Sequence, residues 1–149
     1  MELHEVMLVL HIAAVGTWLG ANIIQVVVPG LAARQGAEVV AGWYRVTGQL
    51  SKRLYMPAAI LVLITGIVMV LQHDISFGSF FVTIGFATIV ISALLGIFVF
   101  DPGSKIAAEA VESGDRSRIK AAASRMTAFG TVDTLLVLFT MTAMVLRWT

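Results

Sequence analysis

Apolar residues run almost unbroken through Val6–Pro29, Leu54–Leu71, Phe80–Phe100 and Met126–Leu146. Each run approaches or exceeds the roughly 20 residues that a helix needs to cross a hydrocarbon core. Backbone polar groups in lipid must be satisfied within the segment, so helices are the expected form. The runs leave little chain for a soluble domain. The expectation is a single domain over residues 1–149, an all-α membrane protein folded as an antiparallel four-helix transmembrane bundle with both termini external.

The first run carries a second pattern. His4, His11, Trp18, Asn22 and Gln25 are spaced seven, seven, four and three residues apart. At about 100° per residue they fall within roughly 60° of one another, a polar stripe along an otherwise greasy rod. Imidazole, indole and carboxamide groups need partners in hydrocarbon, so the stripe is expected to face other helices, a cofactor or a water-lined cavity.

The connections are patterned as well. Gln72–Ser79 is short, which predicts that the second and third spans are antiparallel neighbours. Val39, Val40, Trp43, Val46 and Leu50 recur at helical spacing opposite Glu38, Arg45 and Gln49. That is an amphipathic segment, either an interfacial anchor with Trp43 and Tyr44 at headgroup level or an extension of the second span. Pro57 falls in the first turns of its span, Asp101-Pro102-Gly103 reads as a helix stop, and Gly114-Asp115 offers another break. Both longer connections begin Pro-Gly and end with Ser and Arg (Ser51-Lys52-Arg53, Ser124-Arg125), as a duplicated hairpin would.

Composition sharpens this picture. Of 149 residues 58% are hydrophobic and 13% charged, about half the charged share of an ordinary globular domain. Mean hydropathy is +0.92. Asp133 is the only formally charged residue inside the runs. Nine of the ten Lys and Arg residues lie in the two longer connections and only Arg147 lies elsewhere, which places those connections in the cytoplasm of a bacterial inner membrane. Glu2 and Glu5 make the leading residues acidic, unlike a cleaved signal peptide. With no cysteine, disulfides, thiolate zinc, iron–sulfur clusters and covalent haem attachment are excluded. No phosphate-binding glycine loop, Ser/His/Asp set or HExxH occurs, and nucleic acid is not an expected partner.

His11 lies about 10 Å below His4 on the same face, away from bulk water, and needs either hydrogen-bond partners or a metal. Met69 and Met141 fall at matching depth, counted inward from the outer ends of their spans, and are the available second ligands for a haem iron within the chain. His4, His11 and His73 are the candidates for an outer metal site. Asn22 and Asp133 lie at matched depth from the other side, with Ser92 near the same layer and Gln25 able to extend it. The expected arrangement there is an inter-helix hydrogen-bond layer, or a proton-relay or ion site. Trp18 separates the two levels and could wall a flat pocket. Gly16 and Gly20 form the one clean GxxxG, which permits a homodimer through the first span.

Leu8–Gly20, reading LVLHIAAVGTWLG, followed by Lys52-Arg53-Leu54-Tyr55 leading into PAAILVLITGI, and then SFGSFFVTIG, resembles an uncharacterised family of small bacterial four-helix membrane proteins. That family is distantly similar to the HemJ-like protoporphyrinogen oxidases and the CopD-like copper-resistance proteins. The first resemblance implies haem b held by His11, with Arg53, Leu54 and Tyr55 matching the entry to the second span. The third span lacks the lysine and histidine of the oxidases, so the expectation is haem binding without that reaction. The second resemblance implies copper handling with His4, His11, Met7 and Met69 as ligands. The leading expectation is thus a haem-b protein of electron transfer or haem and porphyrin handling, embedded in a lipid bilayer, whose redox partner the sequence does not name. The alternatives are a metal-handling or transport module and a purely structural membrane subunit.

Overall fold

The computed structural model describes residues 2–147; Met1, Trp148 and Thr149, and with them the placement of the C-terminal residue, lie outside the described residues. The elements are α1 (Leu3–Ala33), α2 (Ala37–Leu50), α3 (Met56–Gln72), α4 (Phe80–Leu95), α5 (Asp101–Glu112) and α6 (Arg116–Leu146). π-helical turns at Ser51–Tyr55 and Gly96–Phe100 weld α2 to α3 and α4 to α5. Four continuous helical stretches result, Leu3–Ala33, Ala37–Gln72, Phe80–Glu112 and Arg116–Leu146, each long and apolar enough to cross a membrane. This is the make-up of a multi-pass membrane protein.

The π turns explain where the sequence reading placed helix ends wrongly. A proline lacks the N–H that would bond four residues back, and its ring crowds that carbonyl. In both turns the ladder is offset by one residue just before a proline: the N–H of Met56 reaches the carbonyl of Ser51, and that of Asp101 the carbonyl of Gly96. Pro57 and Pro102 then enter at the first positions of α3 and α5, where a missing donor costs little. Asp101-Pro102-Gly103 is therefore not a stop but the start of α5. The carbonyl of Phe98, four residues before Pro102, lies 3.5 Å from Arg125 Nη2. α1 likewise continues through Pro29 to Ala33. The irregularity at Ser51–Tyr55 recurs at Gly96–Phe100 and not at Ser124-Arg125, which lies in regular α6, so the structure does not reproduce the hairpin correspondence read from the sequence.

The amphipathic segment is the extension of the second span. Tyr44, on this segment, is 7% exposed. Tyr44 packs with Ala41, Ala107, Ala108, Val111 and Ala122 in a small core between α2, α5 and α6. Alanine and glycine allow this close approach: a Cβ on Gly48 would meet Ser104 Oγ at 3.1 Å. Arg45 and Glu112 (2.6 Å) and Arg118 and Glu109 (3.8 Å) pair across the same helices. These pairs are largely solvated and each contributes at most about 1 kcal/mol. Asp115 caps α6 by accepting from the N–H groups of Ser117 and Arg118 at 3.1 Å each. The Ser117 hydroxyl and the Arg118 N–H hold its carboxyl below the usual carboxylate range. Its contribution is accordingly present above the ordinary carboxylate pKa and fades as the pH falls through the lowered one.

In the membrane-length part, α1 packs chiefly on α3 and α4 on α6, and α1 also touches α6. The buried residues of α1 are His11, Ala14, Trp18, Ala21, Asn22 and Ala32, so the polar stripe is its inward face. Val9, Ile12, Ile23, Val26 and Val27 lie exposed on other sides, as lipid contact requires. Cβ atoms on Gly16 or Gly20 would meet nothing within 4 Å, so neither glycine serves packing inside the chain.

Candidate functional site

One cavity of about 440 Å³ opens between α1, α3, α4 and α6 at the end of the bundle that carries His4. That lies inside the roughly 300–1,000 Å³ usual for small-molecule sites. Its walls include His4, His11, Trp18, Met69, His73 and Met141, together with Val62, Phe86, Val137 and other apolar side chains. The histidines, tryptophan and methionines singled out from the sequence as cofactor or metal ligands thus surround one space. Arg147 stands at its edge as the cation of the lining.

His11 is 8% exposed, and its Nδ1 lies 2.9 Å from Thr65 Oγ1. The Thr65 hydroxyl is itself within 2.6 Å of the Leu61 carbonyl and 3.2 Å of the Val62 carbonyl, and carbonyls only accept. The threonine proton therefore goes to its own helix, and Nδ1–H of His11 donates to Oγ1. This fixes the tautomer and leaves the Nε2 lone pair as the acceptor, the arrangement by which proteins orient a ligating imidazole. The Val62 backbone is a further hydrogen-bond partner of the ring, on the same turn of α3 as the Leu61 carbonyl. Gly66 makes room beside the ring, since a Cβ there would lie 3.5 Å from His11 Cε1.

His4 and His73 are brought together at the cavity mouth with ring centroids 4.3 Å apart, away from the His11–Thr65 pair. His73 Nδ1 donates to the Met69 carbonyl at 3.1 Å, and His4 Nδ1 is buried without a partner. Among the described residues no three His, Asp or Glu side chains are grouped to hold a metal ion.

Deeper in the bundle lies a second polar level. Asp133, 3% exposed, accepts from Asn22 Nδ2 at 2.9 Å, from Trp18 Nε1 at 3.4 Å and from the hydroxyl of Ser92. Tyr55 donates its hydroxyl to Asn22 Oδ1 at 2.8 Å and accepts from Gln25 Nε2 at 2.5 Å. The structure thus joins Asn22, Gln25 and Asp133 in one network and gives α1 and α6 a direct polar contact. Trp18 belongs to both levels: its indole lines the cavity, donates to Asp133 and meets the Tyr55 ring edge-on with centroids 6.2 Å apart. Thr88 and Thr140 add a hydroxyl pair at 2.6 Å on the cavity wall.

Two partners escaped the sequence reading. Thr65 looks like any helical threonine that bonds one turn back, which it also does. Tyr55 entered only through the resemblance, as the end of the Arg53-Leu54-Tyr55 match, and the one signal for its inward role is that it follows the stripe-bearing span at the entry to the next helix. Beyond the bundle core, a groove of about 720 Å³ between α2 and α5 is lined by Arg45, Lys52, Arg53, Asp101, Lys105, Glu109 and others.

No family model, no curated protein and no solved structure matches the chain. The site therefore stands on its own chemistry.

Proposed function

We propose that the protein is a haem-b-binding membrane protein of electron transfer or haem and porphyrin handling, with His11 Nε2 as axial ligand in the cavity at the His4 end. The observation that carries this is the buried His11 ring, oriented through Nδ1 by Thr65, on the wall of an apolar cavity. The donor set fits such a group: one neutral imidazole, the thioethers of Met69 and Met141, the aromatic faces of Trp18 and Phe86, and Arg147 where a carboxylate-bearing edge would emerge. Haem, when bound, supplies one-electron chemistry, and the protein sets its ligation and dielectric. In that division Thr65 orients the ligand, the apolar walls exclude water, and Trp18 closes the inner side of the pocket.

Haem content after purification from haem-supplemented cells tests the reading. Wild type is expected to retain haem. Gly66→Leu, whose side chain grows into the space beside His11, is expected to lose it. Equal content in the two would move the cofactor out of this cavity. A copper-handling reading, with His4, His11, Met7 and Met69 as ligands, has the adjacent rings of His4 and His73 at the mouth but no group of three His, Asp or Glu among the described residues.

The same reading includes an antiparallel bundle in a bacterial inner membrane, with the cavity end outside and the α2–α5 end in the cytoplasm. Its support is charge: Arg34, Arg45, Lys52, Arg53, Lys105, Arg116, Arg118, Lys120 and Arg125 all belong to the long connections and their flanks. Single cysteines at positions 45 and 118 are expected to resist an impermeant thiol reagent in intact cells, and cysteines at positions 2 and 74 to react. Strong labelling at 45 or 118 would reverse the orientation.

A further inference from the structure

Every group that touches the Asp133 carboxylate donates to it: Asn22 Nδ2 and Trp18 Nε1 to Oδ2, and Ser92 to Oδ1. No Lys, Arg or His forms an ion pair with it among the described residues. A carboxylate buried in the membrane-length part of the fold, with donors but no counter-cation, is costly as a mere strut, because an asparagine would satisfy the same three neighbours without a charge. What an asparagine cannot do is gain and lose a proton.

The hydrogen-bond geometry accommodates both states. Ionised, Asp133 accepts from all its neighbours. With a proton on Oδ1, it donates to Ser92 Oγ, which has lone pairs to accept, while Asn22 and Trp18 keep Oδ2. Only the Ser92 bond reverses, and the Ser92 hydroxyl hydrogen then turns to a carbonyl one turn back on its own helix, as helical serines do. The proton is taken from water and returned to water, and no other bond is made or broken.

On α1 the groups facing Asp133 are Trp18 and Asn22, with His11 two turns away and engaged by Thr65. α3 and α4 carry no titratable side chain at all. The titratable neighbour is Tyr55 in the π turn, bonded to Asn22, and the same turn carries Lys52 and Arg53, which line the solvent-open groove between α2 and α5. The network extends from Asp133 through the Asn22 carboxamide to Tyr55 and Gln25. Toward the cavity it ends at Trp18, whose indole can donate a hydrogen bond but cannot pass a proton on.

We propose that Asp133 is a reversible proton-binding site, and that Trp18, bonded to it and lining the cavity, transmits its charge state to the cavity. This goes beyond haem binding and does not require it.

Infrared spectroscopy of the full chain in detergent, purified without haem supplementation, tests the proposal across a pH titration. Over the signal of the eight other Asp and Glu side chains, one component of the protonated-carboxyl stretch is expected to titrate in wild type and to be missing from Asp133→Asn. In a Trp43→Phe/Trp148→Phe background, where Trp18 is the remaining fluorophore, its emission is expected to change with the same midpoint and to be flat when Asp133→Asn is added. Ser92→Ala is expected to move the midpoint and Ser92→Thr, which keeps the hydroxyl, to restore it. A carboxyl band that titrates identically in wild type and Asp133→Asn overturns the proton site. Trp18 emission indifferent to the Asp133 titration overturns the coupling. Neither readout depends on haem, so these outcomes are separate from the test of the cofactor.

Discussion

Asp133→Leu is expected to destabilise the bundle by about 2 kcal/mol, since it removes three inter-helix hydrogen bonds at roughly 0.6 kcal/mol each. The loss is not confined to α6. Asn22, Trp18 and Ser92 sit on α1 and α4, and each is left with a donor facing an apolar side chain. Asn22 retains Tyr55 at its carbonyl oxygen, which limits the damage on that side. Asp133→Asn keeps an oxygen for Asn22 and Trp18 and an amide N–H for Ser92, so it should cost only a fraction of the Leu variant. Denaturant titration in detergent micelles, followed by circular dichroism, measures both. Equal stability of the Leu and Asn variants would mean that the network does not hold these helices together.

His11→Ala is expected to weaken haem binding by at least roughly 100-fold, because no other imidazole among the described residues approaches its position on the cavity wall. His4 and His73 lie together at the mouth, so His73→Ala should leave affinity little changed. Thr65→Val separates ligation from pocket shape. It keeps the volume but removes the oxygen that receives Nδ1–H, and loss of such an orienting partner typically costs about 10–100-fold in metal affinity. Haemin titration of the three variants, followed by absorption, gives the ranking. Wild-type affinity in His11→Ala would remove the ligand assignment and with it the role of Thr65.

How far this architecture could be read from the sequence follows from the range over which each signal acts. The stripe on α1 was legible because five polar residues in apolar surroundings repeat at the helical period, and burial puts His11, Trp18 and Asn22 inward. The meeting of Asn22 with Asp133 was legible through depth, which in a membrane is nearly a coordinate. Thr65 was not, because a threonine that satisfies its hydroxyl on its own backbone carries no mark of a second partner. The π turns were hidden for a different reason. A single extra residue in the ladder barely disturbs a period of 3.6, so Pro102 looked like an end when Gly96–Phe100 had already made room for it. The burial of Tyr44 was not legible, because tyrosine next to tryptophan is the usual mark of a headgroup belt and nothing local shows that α5 and α6 cover it with alanines.

The central claim is that the cavity at the His4 end holds haem b on His11. The most direct measurement is the absorption spectrum of the purified, haem-supplemented protein in its oxidised and reduced states. The account predicts a Soret band that shifts on reduction, with the α and β bands of a protein-ligated b-type haem. A protein that remains free of any Soret band after haem-supplemented expression would contradict it.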